Sequence, residues 1–325
     1  NAVGAVVSVL RRRGIFVNLL AAGPAAVRFA YLGLNCGVIN DGFNPDLLVG
    51  ASLLITGTSG SDSREQSAIF AARTLGISSL AISDFWGNVP LRFSSRIAEH
   101  SEPIRPDVVT ALDQAHAIEL EAGGFRRTQI ALTGQPYFAQ LPGIPASRNS
   151  YLMPTRSLLV VSQPIAEEQA ALRTIAAGAA EAGVHYISVR LHPRATNKEE
   201  VFTALRSAGA AVIADSTADI AISAHEHDAV LGISSLALLE ACCAGAAVGR
   251  IASDTAIWPS SLDELVVPLR NSSEVAAYLL KPRAGSSEHF RAVHRNADLT
   301  CADLVMQLLT PDTSCLNDHG QFNFL

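Results

Sequence analysis

The sequence predicts the α/β class, with two parallel sheets and crossover helices, from three observations. Short apolar runs alternate with amphipathic stretches from end to end, the order that parallel strands joined by helices require. The chain has 325 residues, more than one hydrophobic core usually spans, so two domains of roughly 150 residues are expected. Residues 141–156, from Leu141 to Arg156, carry Gly and Pro breakers and no periodicity, which places the boundary there. The domains expected are 1–145 and 155–310.

In the first domain, Val3, Val6, Val7 and Leu10 define one face of an opening helix that stops at Gly14. A strand is expected over 15–20, and a helix from Pro24, a favoured first-turn residue. Strands follow at 53–56, 78–83, 108–111 and 129–133, with helices at 63–75 and 115–122. A Rossmann-like domain normally begins with a strand and a Gly-rich turn before its first helix. None precedes Ala2, so the sequence is expected to start downstream of that strand.

The second domain repeats the alternation. Strands are expected at 157–162, 186–191, 211–214, 229–232 and 247–251, and helices at 165–182, 198–208, near Ala218, and at 235–244. The segment 286–309 reads as one long amphipathic helix with a serine cap.

Composition narrows the function classes. A net charge of −6 argues against nucleic-acid binding, which calls for a basic face. Apolar residues make up 49%, enough for two cores. Of the 24 basic residues only Lys198 and Lys281 are lysines, which we read as the mark of a GC-rich bacterial genome. Arg11, Arg12 and Arg13 form the dense basic cluster. They suit a helix C-terminus, and a peripheral contact with anionic lipid is the other reading. The five cysteines are odd in number and Cys242 adjoins Cys243, so neither a disulfide framework nor a zinc spacing emerges. No apolar run reaches the roughly 18 residues of a membrane span and no signal peptide is visible. A cytoplasmic, soluble protein is expected, and Asn271-Ser272-Ser273 carries no glycan in that setting.

Ligands of an open parallel sheet lie beyond the carboxyl ends of its strands. Three such ends in the second domain carry polar groups: Ser162-Gln163, His192-Pro193-Arg194, and Ser234-Ser235. Over residues 230–250 an apolar strand runs into a Gly/Ser turn and a helix opens on the two serines. A helix N-terminus offers free N–H groups and partial positive charge, which suit a phosphate. Glu240 follows on the same helix, where a carboxylate can accept hydrogen bonds from ribose hydroxyls. Each feature also has a plainer reading: Ser234 and Ser235 as helix caps, His192-Pro193 as an ordinary turn, Arg194 as a solvated cation. His225-Glu226-His227-Asp228 looks like a metal cluster, but its spacing favours a polar loop.

The series of strand-end polar turn, His-Pro turn and Ser-Ser…Glu-Ala helix resembles the donor-binding segment of GT-B-type glycosyltransferases. It is also similar to their relatives, the UDP-GlcNAc 2-epimerases and CDP-glycerol glycerophosphotransferases. The resemblance covers residues 157–250 well and the whole chain in outline. It implies two Rossmann-like domains facing across a cleft, closing on a nucleotide-diphosphate donor, with the 286–309 helix bracing the first domain. The leaving diphosphate would be held by backbone N–H groups, Ser234, Ser235 and His192, the last giving a hydrogen bond or a charge. No metal or other cofactor is required, because helix N-termini can stabilise the developing charge. A sugar or glycolipid acceptor would bind in the first domain.

Two strand ends there carry candidates. Thr56–Asp62 is a Gly/Ser/Thr turn followed by Arg64 and Glu65, and Asp84-Phe85-Trp86-Gly87-Asn88 precedes Arg92. Inverting transfer needs a base for the acceptor hydroxyl: Asp84 and Glu65 are the candidates, with Asp62 third. Trp86, in a loop expected to be exposed, would stack on a sugar ring, beside Asn88 and Arg92. A serine hydrolase built on Ser59 is disfavoured, since the Gly-x-Ser-x-Gly elbow is absent. The leading expectation is sugar or glycerol-phosphate transfer in bacterial surface polysaccharide or glycolipid synthesis. The alternatives are a nucleotide-sugar 2-epimerase or hydrolase, and a non-catalytic nucleotide-binding scaffold.

Overall fold

The computed structural model describes residues 1–40, 42–60, 62–97, 100–141, 155–217, 219–253, 258–285 and 287–310. The chain divides into two compact units. One comprises Asn1–Gln140 with the described part of Ala292–Leu325, the other Leu141–Arg291. Both are built on parallel sheets, so the expected α/β class is what the structure shows.

The N-terminal unit contains α1 (Ala2–Arg12), β1 (Leu20–Ala21), α2 (Pro24–Tyr31), β2 (Gly37–Val38), β3 (Leu53–Thr56), α3 (Arg64–Leu75), β4 (Ser78–Ala81), α4 (Val89–Phe93), β5 (Val108–Ala111), α5 (Gln114–Ala122), β6 (Ile130–Leu132) and α6 (Pro136–Ala139). Strands β3 to β6 pair in sequence order and in parallel. Of these, β5 (Val-Val-Thr-Ala) is buried at every position, as a strand covered on both faces requires, while β3 is half-buried over Leu53–Ile55 and β6 ends on the exposed Leu132. Val6 and Leu10 of α1 pack with Leu80, Ile82, Cys301 and Val305, all 0 or 1% exposed; each such side chain contributes roughly 1.5–3 kcal/mol. The strand expected over 15–20 is not formed. Only Leu20 and Ala21 enter a ladder, with Gly37 and Val38, because the pairing N–H groups come from Gly37 and Ile39 to Leu19 and Ala21.

The C-terminal unit contains β7 (Ser157–Val161), α7 (Glu168–Glu181), β8 (Tyr186–Arg190), α8 (Lys198–Arg206), β9 (Ala211–Ala214), α9 (Ile220–Glu226), β10 (Ala229–Gly232), α10 (Leu236–Cys243), β11 (Val248–Ile251), β12 (Val267–Leu269) and α11 (Ser272–Leu280). The six-stranded parallel sheet has the order β12-β11-β10-β7-β8-β9. The chain winds outward from β7 through β8 and β9, then returns to the other side of β7 with β10. The topological switch point, where such sheets bind ligands, therefore lies between β7 and β10. Neither β12 nor α11 was expected from the sequence, although α11 has a legible start: Asn271 Oδ1 accepts the Glu274 N–H at 2.9 Å. That hydrogen bond gives the Asn271 sequon a capping role.

Helices α7 and α11 touch so closely that a side chain at Gly178 would place its Cβ 2.5 Å from Val275. Gly178→Val should therefore lower stability by about 1–3 kcal/mol, read as a shifted urea midpoint at unchanged slope. An unchanged midpoint would show that the α7–α11 contact can relax.

The last described segment corrects an expectation. Instead of one helix over 286–309 there are two, α12 (Glu288–His294) and α13 (Ala297–Leu309), while Ser286 lies outside the described residues. Asn296 leaves the helical region at φ −117° and ψ 17°, and the Thr300 N–H restarts the ladder on Asn296 O at 2.9 Å. Asparagine favours such a boundary because its side chain competes for backbone groups. Hydrophobic periodicity carries through the break, so the pattern alone cannot reveal it. Among the described residues no helix is long and apolar enough to cross a membrane.

Candidate functional site

At the switch point of the C-terminal unit the turn after β7 meets the turn after β10. Gln163 Oε1 accepts the Ser234 backbone N–H at 3.0 Å, and Gln163 Nε2 donates to Ser234 Oγ at 3.0 Å. Ser234 Oγ in turn lies 3.2 Å from Gln163 Oε1. Next door, Ser235 Oγ accepts the Ala237 N–H at 3.3 Å and caps α10. An accepting hydroxyl keeps its own proton for another partner, so Ser235 combines capping with donor capacity. The first N–H groups of α10 have no intrahelical acceptors, as at any helix start.

The turn after β8 joins the same edge. Ser162 is buried, and its Oγ accepts the His192 N–H at 3.0 Å. His192 Nδ1 accepts the Arg194 N–H at 3.1 Å, which leaves the ring proton on Nε2. Burial, with the Arg194 cation beside it, pulls the imidazole pKa below its usual value. The ring is thus neutral at pH 7, and of the two roles expected, a hydrogen bond or a charge, the geometry favours the hydrogen bond. Arg194 itself is exposed. Glu240 is buried in the second turn of α10, placed there by the helix it shares with Ser235 and not by the turns.

The cluster His225–Asp228 is not a free polar loop. His225 and Glu226 close α9, while His227 spans Ser188 Oγ and Ser223 O, each at 2.7 Å. Asp228 accepts from Ser157 N at 2.9 Å and Arg156 N at 3.0 Å. These hydrogen bonds tie His227 and Asp228 to the neighbouring strands and to α9. Among the described residues no group of three metal-ligating side chains is gathered.

In the N-terminal unit the turns after β3 and β4 are held together by Arg92. Its Nη1 donates to Asp84 Oδ1 at 2.6 Å and to Thr58 Oγ1 at 2.7 Å, and its Nε donates to Gly87 O at 3.1 Å. Arg92 therefore fastens two loops and orients Asp84, whose side chain is 53% exposed. Asn88 is exposed and left-handed at φ 58°, where asparagine is tolerated better than most residues.

Three expectations for this unit need correction. Glu65 accepts the Gly57 N–H on Oε1 at 2.9 Å and the Ser59 N–H on Oε2 at 2.6 Å. Burial raises its pKa, opposed by the Ser59 hydrogen bond and assisted by Asp84. With both oxygens committed, it braces the turn. A Cβ at position 57 would lie 2.6 Å from Glu65 Oε1, so a larger residue there would displace the carboxylate from this arrangement. Asp62 likewise is spent on the start of α3, accepting from Arg64 N at 2.8 Å. Trp86 is not exposed at all: at 0% accessibility it cannot offer a face to a sugar. Its Nε1 donates to Asp113 Oδ2 at 2.6 Å, and its ring meets His294 edge-on at 5.9 Å. A loop that exposes Asp84 and Asn88 turns the intervening indole inward, where burying its large apolar area is most favourable.

Several residues of these edges escaped the sequence reading. Gln135 Nε2 donates to Asp84 O at 3.1 Å, and its backbone N–H donates to His294 Nδ1 at 3.1 Å. Asp113 caps α5 through the His116 N–H at 2.8 Å. The Asp113-x-x-His116 spacing after an apolar strand was a readable cap signal; nothing in the sequence marks the Gln135 contacts.

No family model matches the sequence, and no curated protein does. Solved structures do. A UDP-N-acetylglucosamine 2-epimerase assigned in Listeria monocytogenes matches with a TM-score of 0.67 at 11% identity, covering 94% of this chain and 92% of its own. UDP-GlcNAc 2-epimerase from Neisseria meningitidis, bound to UDP-GlcNAc, matches at 0.62 and 12%, covering 94% and 96%. The spinosyn forosaminyltransferase SpnP matches at 0.55 and 12%, covering 95% of each chain. The chain has the GT-B fold. At such identities the likeness speaks for the fold alone. Within this GT-B chain, the Gln163–Ser234 and Ser162–His192 pairs are on the C-terminal sheet's carboxyl edge, and the Asp84–Arg92 pair is on the N-terminal sheet's.

Proposed function

We propose that the protein is a glycosyltransferase-like enzyme that moves a sugar or glycerol phosphate from a nucleotide-activated donor, in bacterial surface polysaccharide or glycolipid synthesis. The single observation that carries this reading is the Gln163–Ser234 pairing at the switch point, at 3.0 Å, with the capped N-terminus of α10 beside it. Together they form an edge of N–H and O–H donors suited to a diphosphate. His192 adds a neutral Nε2–H donor, Arg194 adds a cation on the same turn, and Glu240 is the ribose ligand. In the N-terminal unit Asp84 is the base candidate, since Glu65 and Asp62 are occupied. Its carboxylate is oriented by Arg92 and half open to solvent, as proton transfer from an acceptor hydroxyl needs. Asn88 lines the acceptor side.

A 2-epimerase or hydrolase reading has its own support, because two of the matching structures are 2-epimerases. Neither reading places a resident cofactor in the chain.

Thermal unfolding of the whole chain with UDP, GDP, CDP, dTDP and CMP tests the proposal. One nucleotide should raise the transition, by about 2.7 kcal/mol at a hundredfold excess over its dissociation constant, and Gln163→Ala should abolish most of the shift. A transition unmoved by all five would defeat both readings. If a nucleotide binds, formation of the 2-epimer or release of free nucleotide diphosphate from the donor sugar alone would favour the epimerase or hydrolase.

A further inference from the structure

The C-terminal edge contains a buried acid with no part in the chemistry above. Glu168 opens α7 and is only 1% exposed. Its Oε1 accepts the Gln163 backbone N–H at 2.7 Å, and its Oε2 accepts from Asn197 Nδ2 at 3.2 Å. Gln163 belongs to the turn after β7 and holds Ser234, after β10, through its side-chain amide. Asn197 ends the loop that starts at His192, after β8. One carboxylate thus ties the first turn to the second directly and to the third through Gln163. Asn197 Oδ1 is buried without a hydrogen-bond partner, so this amide is oriented through its Nδ2 contact with Glu168.

A buried negative charge beside a proposed anion site is unexpected on electrostatic grounds, because like charges repel most strongly where water is excluded. Its position in the first turn of α7, with a backbone N–H on one oxygen, offsets the cost of burying it. We infer that Glu168 is a positioning residue that holds the three turns of the donor edge in the geometry that receives a diphosphate. This rests on the nucleotide reading above. Repulsion and positioning predict opposite signs when the charge is removed. If Glu168 acts on the anion mainly through its field, Glu168→Gln tightens binding. As a positioning residue it has the reverse effect, since the glutamine amide turns an NH2 group either towards Asn197 Nδ2 or towards the Gln163 N–H.

Isothermal titration of UDP, GDP, CDP and dTDP into the whole chain decides the matter. Glu168→Gln should weaken the nucleotide that binds the wild type about tenfold, and Asn197→Ala about threefold, as expected for coupled neighbours. The double variant Glu168→Gln/Asn197→Asp reverses donor and acceptor across the link at unchanged net charge. It should recover affinity to within about threefold of wild type, a rescue that lost folding stability alone would not produce in a dissociation constant. Binding by Glu168→Gln equal to or tighter than wild type overturns the inference and leaves the nucleotide reading standing. Should that variant fail to fold, unchanged affinity in a folded Asn197→Ala protein overturns it equally. If the wild type binds none of the four and CMP also leaves its thermal transition unmoved, the nucleotide reading falls, and this inference falls with it.

Discussion

Acidification from about pH 7.5 to about pH 4 is expected to strip the N-terminal unit of several kcal/mol of stability. His116 and His294 are each 1% exposed, and both accept backbone N–H groups on Nδ1: His116 from Leu112 at 3.2 Å, His294 from Gln135 at 3.1 Å. A buried ring that accepts in this way resists protonation. Burial lowers the pKa of each from 6.5 to about 4; at His116 the Arg92 cation adds to the effect and Asp84 opposes it. Because the folded values lie below the unfolded one, the unfolded chain takes up protons first. The stability is complete above pH 6.5 and is lost as the pH falls from there towards 4. Each ring loses roughly 3 kcal/mol over that window.

Glu65 works against this at the acid end. Its folded pKa is raised, so its contribution is full below 4.5 and declines as the pH rises through the folded value. The expected net result is a urea midpoint that drops steeply between about pH 6.5 and 4. In His294→Gln, whose side-chain oxygen can accept the Gln135 N–H without titrating, about half of that drop should vanish. Equal pH dependence in wild type and variant would show that His294 does not titrate as its burial implies.

Truncating Trp86 to alanine should cost about 3–5 kcal/mol, the range for emptying an aromatic site in a packed core. The indole is fully buried, stands edge-on to His294, and donates to the Asp113 carboxylate at 2.6 Å. Trp86→Phe separates the two effects: it keeps most of the volume and should lose about 1.5–3 kcal/mol through the charge-assisted hydrogen bond. Trp86 anchors the loop that carries Asp84 from beneath, while Arg92 clasps it from the side. The alanine variant should therefore also lose activity at temperatures where it remains folded. Chemical denaturation monitored by circular dichroism checks the stability values. A loss below about 1 kcal/mol would contradict the buried setting.

The two edges differed in how much the sequence disclosed. Strands β3 to β11 were readable as short, largely apolar runs bounded by polar turns, the clearest being β10, which is buried at every position because both its faces are covered. The start of α10 was readable because Ser234-Ser235 after such a run signals a cap. The start of α11 is equally legible in Asn271 and Glu274, since the asparagine side chain caps the turn through the Glu274 N–H. The helix break at Asn296 was not readable, since an apolar stripe continues across it. Trp86 was misplaced for a related reason: position in a strand-end loop does not tell which way a side chain turns.

Local chemistry alone determined the α/β class, most element positions and the polar strand ends, because hydrophobic period, caps and breakers act within a few residues. Tertiary structure alone decided which of those polar ends meet. Gln163 finds Ser234 at a separation of 71 positions, and Arg92 finds Thr58 at a separation of 34. It also took Glu65 and Trp86 out of the expected chemistry and set them to bracing the loops. The physical reason is that a buried hydrogen-bonding group must be satisfied by whatever the fold brings alongside, and strand order, invisible in a local pattern, determines that neighbour.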